Sequence, residues 1–268
     1  TKQPQKVDSN RSKNTHEITP ATTLFNSMQV LYQHEKKIKK HQKVSHYSYG
    51  RYGSSTTIEL ENMLKELEQA HHIFLTGTGF GGVALAIMSL CRPGDEILVS
   101  DNVYGPTKEI CEKLLKEFDV LAKFYNPESF EDLKDKVNNK TKMILVENPG
   151  SNTFEFQDLS KIVNLAKKKK IFTFLDNTWG TPLYLKPLKI GFDMSFSSAT
   201  KYFSGHSDAM GGTLSVNKKV FKKIMFFYKL SGYRMSADEA YLIIRGLRTM
   251  DVRLKAHYEN TKTIINFL

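Results

Sequence analysis

The residues best suited to chemistry are an aspartate and a lysine, each following an apolar run that predicts a strand. They are Asp176 and Lys201, 25 residues apart, and hydroxyls precede the lysine at Ser198 and Thr200. A lysine amine can form a Schiff base with an aldehyde cofactor, and a carboxylate can keep a pyridine nitrogen protonated. The pair suits pyridoxal phosphate, and the two hydroxyls could bind its phosphate. Taken singly, the aspartate could cap a helix and the lysine could be an ordinary surface residue.

A glycine-rich turn supplies a candidate phosphate site. The segment Gly77-Thr78-Gly79-Phe80-Gly81-Gly82 fits the pattern G-x-G-x-x-G between a predicted strand and a predicted helix. Backbone N–H groups around Gly79 and Phe80 could bind a phosphate at the start of that helix. Asp101 follows Gly82 by 19 residues, so the segment also resembles a dinucleotide-binding fingerprint. A nicotinamide-dependent oxidoreductase and a tight turn without a ligand therefore remain alternatives.

The elements that must position these residues alternate along the chain. Strands are predicted at 72–76, 96–100, 120–124, 142–147, 171–175, 193–197 and 212–216. Helices are predicted from Thr56, and at 81–91, 107–118, 128–137, 157–169, 218–230, 236–247 and 250–268. Strands separated by single helices predict an α/β fold with a mostly parallel sheet between two helical layers. Ligands of such sheets gather at the carboxyl ends of the strands.

Charge and composition exclude several classes of protein. The formal net charge of +11 arises mainly from lysine runs at 36–43 and 167–170. The second run is predicted to close a helix, where cations complement the helix dipole. No RNA-binding motif or zinc-finger spacing accompanies the lysines, so we expect a solvated surface and no nucleic-acid partner. Two cysteines, Cys91 and Cys111, are too few for a disulfide framework or a four-cysteine zinc site, and we expect no metal.

One uncharged stretch has the length of a membrane span. Residues 73–91 carry no charge over 19 positions, but the stretch contains the glycine-rich turn. A continuous helix through several glycines is unfavourable, so a strand, a turn and a buried helix are predicted instead. We therefore expect no membrane association. The chain begins with polar and charged residues and has few cysteines, which favours a reducing compartment, the cytoplasm.

Several motifs, in the same order, resemble the Cys/Met-metabolism family of pyridoxal-phosphate-dependent enzymes of fold type I. The matching segments are Tyr49-Gly50-Arg51-Tyr52-Gly53, Thr78 to Val83, Asp101 to Pro106, Asp176 to Trp179, Ser198 to Tyr202, Gly205 to Gly212 and Arg245 to Thr249. The resemblance covers most of the chain from about residue 46 onward. It implies the three-layer αβα large domain of the pyridoxal-phosphate-dependent transferase type.

The resemblance assigns a role to each candidate residue. It implies that Lys201 carries the cofactor, Asp176 binds the ring nitrogen and Tyr104 stacks on the ring and carries protons. Gly79, Phe80, Ser198 and Thr200 correspond to the family's phosphate-binding positions. Tyr49 and Arg51 are similar to the pair that reaches a neighbouring subunit's cofactor phosphate. The family's arrangement therefore implies a homodimer or a homotetramer.

Within the family, the chain is most similar to the cystathionine β-lyases. Trp179 and the stretch from Gly205 to Ala209 favour that branch, whereas Asn152 is shared with γ-acting members. The resemblance implies β-elimination of L-cystathionine to homocysteine, pyruvate and ammonia, a step of transsulfuration and methionine biosynthesis. The alternatives are a γ-acting synthase or lyase and a catalytically impaired homologue that binds the cofactor.

We expect two parts in this chain: an extended N-terminal arm at 1–48 and a cofactor-binding large domain at 49–268. Family members continue into a smaller C-terminal domain, which holds the arginine for the substrate's α-carboxylate. This chain stops at Leu268, so that domain is expected to be absent and activity without it is left open.

Overall fold

Seven strands form one sheet in the order β1-β7-β6-β5-β4-β2-β3. The computed structural model describes residues 25–39 and 47–268. The strands are β1 His72–Thr76, β2 Glu96–Ser100, β3 Leu121–Tyr125, β4 Thr141–Glu147, β5 Phe172–Asp176, β6 Met194–Ser198 and β7 Gly212–Val216. Neighbouring strands from β3 to β6 pair in parallel, and β7 pairs antiparallel with both β6 and β1. The predicted mostly parallel sheet is confirmed, and every strand lies within one residue of its predicted bounds.

Helices cover both faces of this sheet. They are α1 Met28–Lys39, α2 Ser55–Glu68, α3 Gly79–Leu90, α4 Gly105–Glu109, α5 Leu115–Glu117, α6 Phe130–Lys136, α7 Leu159–Lys169, α8 Thr181–Tyr184, α9 Pro187–Ile190, α10 Lys218–Ser231, α11 Ala237–Leu247 and α12 Met250–Phe267. A single π-helical turn, Ile110–Leu114, joins α4 to α5, and a 3₁₀ turn spans Gly50–Tyr52.

Alternation of side chains along the strands separates the core into layers. In β4, Met143 and Leu145 pack on the face that α3 and α10 cover, whereas Ile144 and Val146 pack on the opposite face with α7. A third cluster joins β1 to α2, α11 and α12. Because strand residues alternate between faces, a run of apolar residues serves both layers at once. The fold is therefore the expected three-layer αβα arrangement.

The N-terminal region differs from its prediction. Met28–Lys39 forms helix α1, where an extended arm is predicted, and residues 1–24 and 40–46 of that arm lie outside the described residues. The segment contains no glycine or proline and is rich in residues that favour helices. Its described side chains are mostly exposed, so the helix adds little to the buried core. The division of the chain at residue 49 stays a prediction.

The uncharged stretch forms a strand, a turn and a helix, as predicted. It comprises β1, the residues Gly77 and Thr78, and α3, whose side chains are almost all buried. Among the helices of residues 25–39 and 47–268, none combines the length and the hydropathy that a membrane span needs.

The second lysine run lies at the C-terminal end of α7, at Lys167–Lys169, which confirms the predicted helix end.

Candidate active site

A cavity of about 710 Å³ opens at the carboxyl ends of β4, β5 and β6. The last residues of these strands line it: Glu147, Asp176 and Ser198. The N-terminus of α3 forms a second wall, and the turn that follows β6 carries Lys201 into the lining. The structure therefore gathers residues that are more than 120 positions apart in the sequence, from Thr78 to Lys201.

Asp176 is buried at the end of β5 and is held by the residue two positions further on. Its Oδ1 accepts hydrogen bonds from the backbone N–H of Thr178 at 3.0 Å and from the Thr178 hydroxyl at 2.6 Å. The Thr178 Oγ1 in turn accepts the N–H of Ser198 at 2.9 Å, which joins the ends of β5 and β6. Burial raises the pKa of Asp176 to about 6, and the bonds from Thr178 act in the opposite direction.

The glycine turn begins α3 and exposes backbone donors to the cavity. The Thr78 side chain accepts the N–H of Gly81 at 3.0 Å and so caps the helix. The N–H groups of Gly79 and Phe80 precede any possible intrahelical acceptor, and both residues line the cavity. A methyl group on Gly79 would lie 2.8 Å from Ser198 Oγ, so only glycine leaves this corner open. Helix dipole and free N–H groups together make an anion site.

The lysine lies on a tight turn between β6 and β7. The Lys201 N–H donates to Ser198 O at 3.0 Å, and the Gly205 N–H donates to Lys201 O at 2.8 Å. Thr200 also lines the cavity, and its hydroxyl accepts the Gly211 N–H at 3.0 Å. Lys201 is thereby held by backbone bonds, is exposed and lines the cavity.

Tyr104 faces the same cavity from the turn after β2. It is 51% exposed, and its backbone N–H donates to Glu147 Oε2 at 2.7 Å. The structure thus brings together Tyr104, Lys201, Asp176, Gly79, Phe80, Ser198 and Thr200.

Tyr49 and Arg51 lie outside the lining of this cavity. Arg51 stacks 4.5 Å from the Tyr52 ring centroid and bonds its hydroxyl at 3.0 Å.

Several residues that line the cavity were not predicted from the sequence. Glu147 ends β4 as Asp176 ends β5, and the two are register partners in the sheet. Its position after an apolar strand is the signal that could have found it. Arg253 and His257, on α12, also line the cavity. The Arg253 guanidinium donates to Tyr202 O at 2.8 Å, so it ties the lysine turn to α12.

The dinucleotide alternative does not fit the sheet. In that fold the strand carrying the acidic residue lies beside the strand that precedes the glycine turn. Here β7, β6, β5 and β4 separate β1 from β2. Asp101 binds Lys108 at 2.5 Å and does not line the cavity of Lys201. The glycine turn and Asp101 therefore cannot share one dinucleotide.

The donor set does fit pyridoxal phosphate. The α3 N-terminus and the Ser198 hydroxyl suit the phosphate, Asp176 suits a ring nitrogen that carries a proton, and Lys201 suits the aldehyde carbon. Tyr104 offers an aromatic face beside them. Among the described residues, no cluster of His, Cys, Asp and Glu side chains could hold a metal ion.

Comparison with known proteins agrees with this fit. The sequence profile of the "Cys/Met metabolism PLP-dependent enzyme" family matches residues 3–268. A cystathionine beta-lyase of Bordetella avium is 33% identical over 94% of this chain and 63% of its own length. An L-alanine/L-glutamate racemase of Wolbachia pipientis is 34% identical over 83% of this chain and 55% of its own length.

A solved structure shows the same fold. The cystathionine gamma synthase of Xanthomonas oryzae, in complex with aminoacrylate and cysteine, superposes with a TM-score of 0.85 at 29% identity. The alignment covers 94% of this chain and 62% of the synthase. The chain thus spans less than two thirds of each of these three relatives. Motifs, fold and profile agree, and the chain belongs to the Cys/Met metabolism family of pyridoxal-phosphate-dependent enzymes.

Proposed function

We propose that this chain provides the cofactor site of a carbon–sulfur lyase that eliminates homocysteine from Cβ of L-cystathionine, leaving pyruvate and ammonia. The observation that carries the proposal is the meeting of Lys201, Asp176 and the α3 N-terminus in one cavity. The named similarity to a cystathionine beta-lyase over 94% of the chain supports the substrate.

Binding of the cofactor would fall to residues of α3, β5, β6 and the turn after β2. Gly79 and Phe80 would donate backbone N–H groups to the phosphate, and the Ser198 hydroxyl would add a bond from the end of β6. Asp176 would hold a proton on the ring nitrogen, and Thr178 keeps the Asp176 carboxylate oriented through its two bonds. Tyr104 would offer its aromatic face to the ring. Thr200 acts through its bond to Gly211, which fixes the lysine turn against β7.

Lys201 is the proton carrier of the proposed reaction. Pyridoxal phosphate, when bound, supplies the electron sink that makes the substrate's α-proton acidic. The Lys201 amine would remove that proton, because Lys201 lines the same cavity as the α3 N-terminus and Asp176. Tyr104 and Lys201 are then the two side chains placed to return a proton to the departing thiolate. Water completes the release of pyruvate and ammonia.

Assembly is part of the proposal. Arg51 can donate two parallel hydrogen bonds to a phosphate, yet it and Tyr49 stand outside this chain's own cavity. We propose that they act on the cofactor of a second subunit in a homodimer or a pair of dimers. The large-domain role of residues 49–268 belongs to the same proposal.

The test is an assay of the purified chain with L-cystathionine and pyridoxal phosphate. β-Elimination gives pyruvate, whereas a γ-acting enzyme gives 2-oxobutyrate, so separating the two keto acids distinguishes the chemistries. The control is Lys201→Ala, which should form neither. Pyruvate that depends on Lys201 supports the proposal. Firm cofactor binding with neither keto acid would contradict it and favour a homologue that binds the cofactor without turnover.

One relative supports a second candidate. The racemase of Wolbachia pipientis is as similar in sequence as the lyase, and racemisation begins with removal of the same α-proton. Tyr104 and Lys201 both line the cavity, so one residue could remove a proton and the other return it. Formation of D-alanine from L-alanine without keto acid would favour this candidate over the lyase.

A further inference from the structure

Glu147 is a buried carboxylate between two loops of the cavity. It is the last residue of β4, is 4% exposed and pairs in register with Asp176 on β5. Its Oε1 accepts the hydroxyl of Ser151 at 2.6 Å, and its Oε2 accepts the backbone N–H of Tyr104 at 2.7 Å. Each oxygen therefore binds a donor from a different loop.

The two loops have further bonds to each other. The Ser151 N–H donates to Asn102 O at 2.8 Å, and the Asn102 amide donates to Glu155 Oε2 at 3.2 Å. The backbone of Glu147 is fixed as well, because its N–H donates to Ser100 Oγ at 3.2 Å. The carboxylate thus stands on a rigid strand and binds the turn that carries Tyr104.

Burying a second carboxyl group beside Asp176 costs free energy, because both groups lose hydration and like charges repel. Burial, and after it the nearby charge of Asp176, raises the pKa of Glu147 to about 7. A serine hydroxyl and a backbone amide offset only part of this cost. An apolar residue at this position would fill the same space without the free-energy cost of a buried carboxylate. The presence of a glutamate is therefore better explained by a role in the cavity than by a contribution to stability.

We infer that Glu147 is a positioning residue, which fixes the Tyr104 turn so that the tyrosine ring meets the cofactor ring. The inference rests on the proposed function, which makes Tyr104 the cover of that ring. Removing the carboxylate leaves the Tyr104 N–H without its acceptor and frees the turn to move. A glutamine in its place keeps an oxygen for that N–H, and it replaces the charged acceptor of the Ser151 hydroxyl with an amide NH2 that can donate to the Ser151 oxygen.

Cofactor affinity can be measured without turnover. Trp179 is the single tryptophan of the chain and lines the cavity, so bound pyridoxal phosphate should quench its emission. We expect Glu147→Ala to weaken pyridoxal phosphate binding about tenfold, the loss typical of a hydrogen bond to a charged group. Glu147→Gln should stay within about threefold of the unchanged chain. Glu68→Ala is the matched control, because Glu68 is also a buried glutamate and does not line the cavity.

Two readouts separate positioning from general destabilisation. In a Tyr104→Ala background, Glu147→Ala should weaken binding no further, because interacting residues are not additive. Hydrogen exchange of the Tyr104 amide, measured without cofactor, should accelerate in Glu147→Ala and stay slow in Glu147→Gln. If Glu147→Ala does not fold, Ser151→Ala removes the other bond to the same carboxylate and should show both effects more weakly.

The outcomes are distinct. Unchanged affinity and unchanged Tyr104 exchange in Glu147→Ala, or in Ser151→Ala, would overturn the role of Glu147. Additive losses for Glu147 and Tyr104 would overturn it too. Failure of the unchanged chain to quench Trp179 with pyridoxal phosphate would overturn the proposed function together with this inference.

Discussion

At the scale of single residues, the charge of Asp176 decides how the site depends on pH. Burial raises its pKa to about 6, so the carboxylate gains a proton as the pH falls through that value. A neutral Asp176 no longer attracts a protonated ring nitrogen. Cofactor affinity should therefore be full well above pH 6 and fall as the pH decreases through that value.

We expect the unchanged chain to bind pyridoxal phosphate more weakly at pH 5 than at pH 7.5, by Trp179 quenching. The cofactor's own phosphate also titrates near pH 6, so Asp176→Asn is the necessary control. The ratio of the Asp176→Asn affinity to the affinity of the unchanged chain should approach one at pH 5 and fall to about a tenth at pH 7.5. An equal ratio at both values would contradict the role of Asp176.

Residue types and spacing singled out Asp176, Lys201 and the glycine turn, all of which line the cavity, because each carries a recognisable chemistry. Glu147 could not be predicted in the same way. Its importance arises from the register of β4 with β5 and from bonds to Tyr104 and Ser151, which are distant in sequence. The roles of Tyr49 and Arg51 stay predictions, since they concern a second subunit.

At the scale of elements, the start of α3 determines whether phosphate can bind. A methyl group on Gly79 would lie 2.8 Å from Ser198 Oγ, so it would crowd the first residue of α3 against the end of β6. We expect Gly79→Ala to weaken pyridoxal phosphate binding by about tenfold or more, since charge-assisted bonds to the phosphate are lost.

The test compares two ligands by Trp179 quenching. Pyridoxal lacks the phosphate, so its affinity should change little in Gly79→Ala. Gly105→Ala serves as the control, because an added methyl group there meets no atom within 4 Å. Equal losses for pyridoxal and pyridoxal phosphate would contradict a phosphate site at α3.

Helices and strands could be predicted where apolar residues recur with a clear period, and less well in short segments that show no period. The strands and the helices α2, α3, α7, α10 and α11 lie close to their predicted positions because burial imposes their pattern, whereas the mostly exposed α1 was not predicted. Helices α8 and α9 have four residues each, too few for any period to appear. The predicted helix at 107–118 contains the π turn Ile110–Leu114, which depends on backbone hydrogen bonding that side-chain types do not encode.

At the scale of the whole molecule, strand order separates two interpretations that the sequence left open. A glycine turn and a later aspartate suit a dinucleotide only if their strands are neighbours, and here four strands intervene. Strand order depends on contacts between distant segments, so local patterns could not predict it. The same order places β5 and β6 side by side and so brings Asp176 and Lys201 to one cavity.

The proposed dimer can be tested by mixing two defective chains. Arg51→Ala should bind pyridoxal phosphate weakly, because each subunit lacks the donor for its neighbour's phosphate. Lys201→Ala cannot hold the cofactor covalently. When the two are co-expressed, a mixed dimer contains one intact site, so a fraction of the Arg51→Ala subunits should regain tight binding. No gain over Arg51→Ala alone would show that Arg51 does not act between subunits.

The most direct measurement is borohydride reduction of the chain with bound pyridoxal phosphate, followed by peptide mapping of the label. We predict an absorption band in the visible range that reduction removes, and a stable label on the peptide that contains Lys201. Lys201→Ala should carry no such label. A label on other lysines, such as those at 167–170, or its persistence in Lys201→Ala would contradict the assignment of Lys201 as the residue that holds the cofactor.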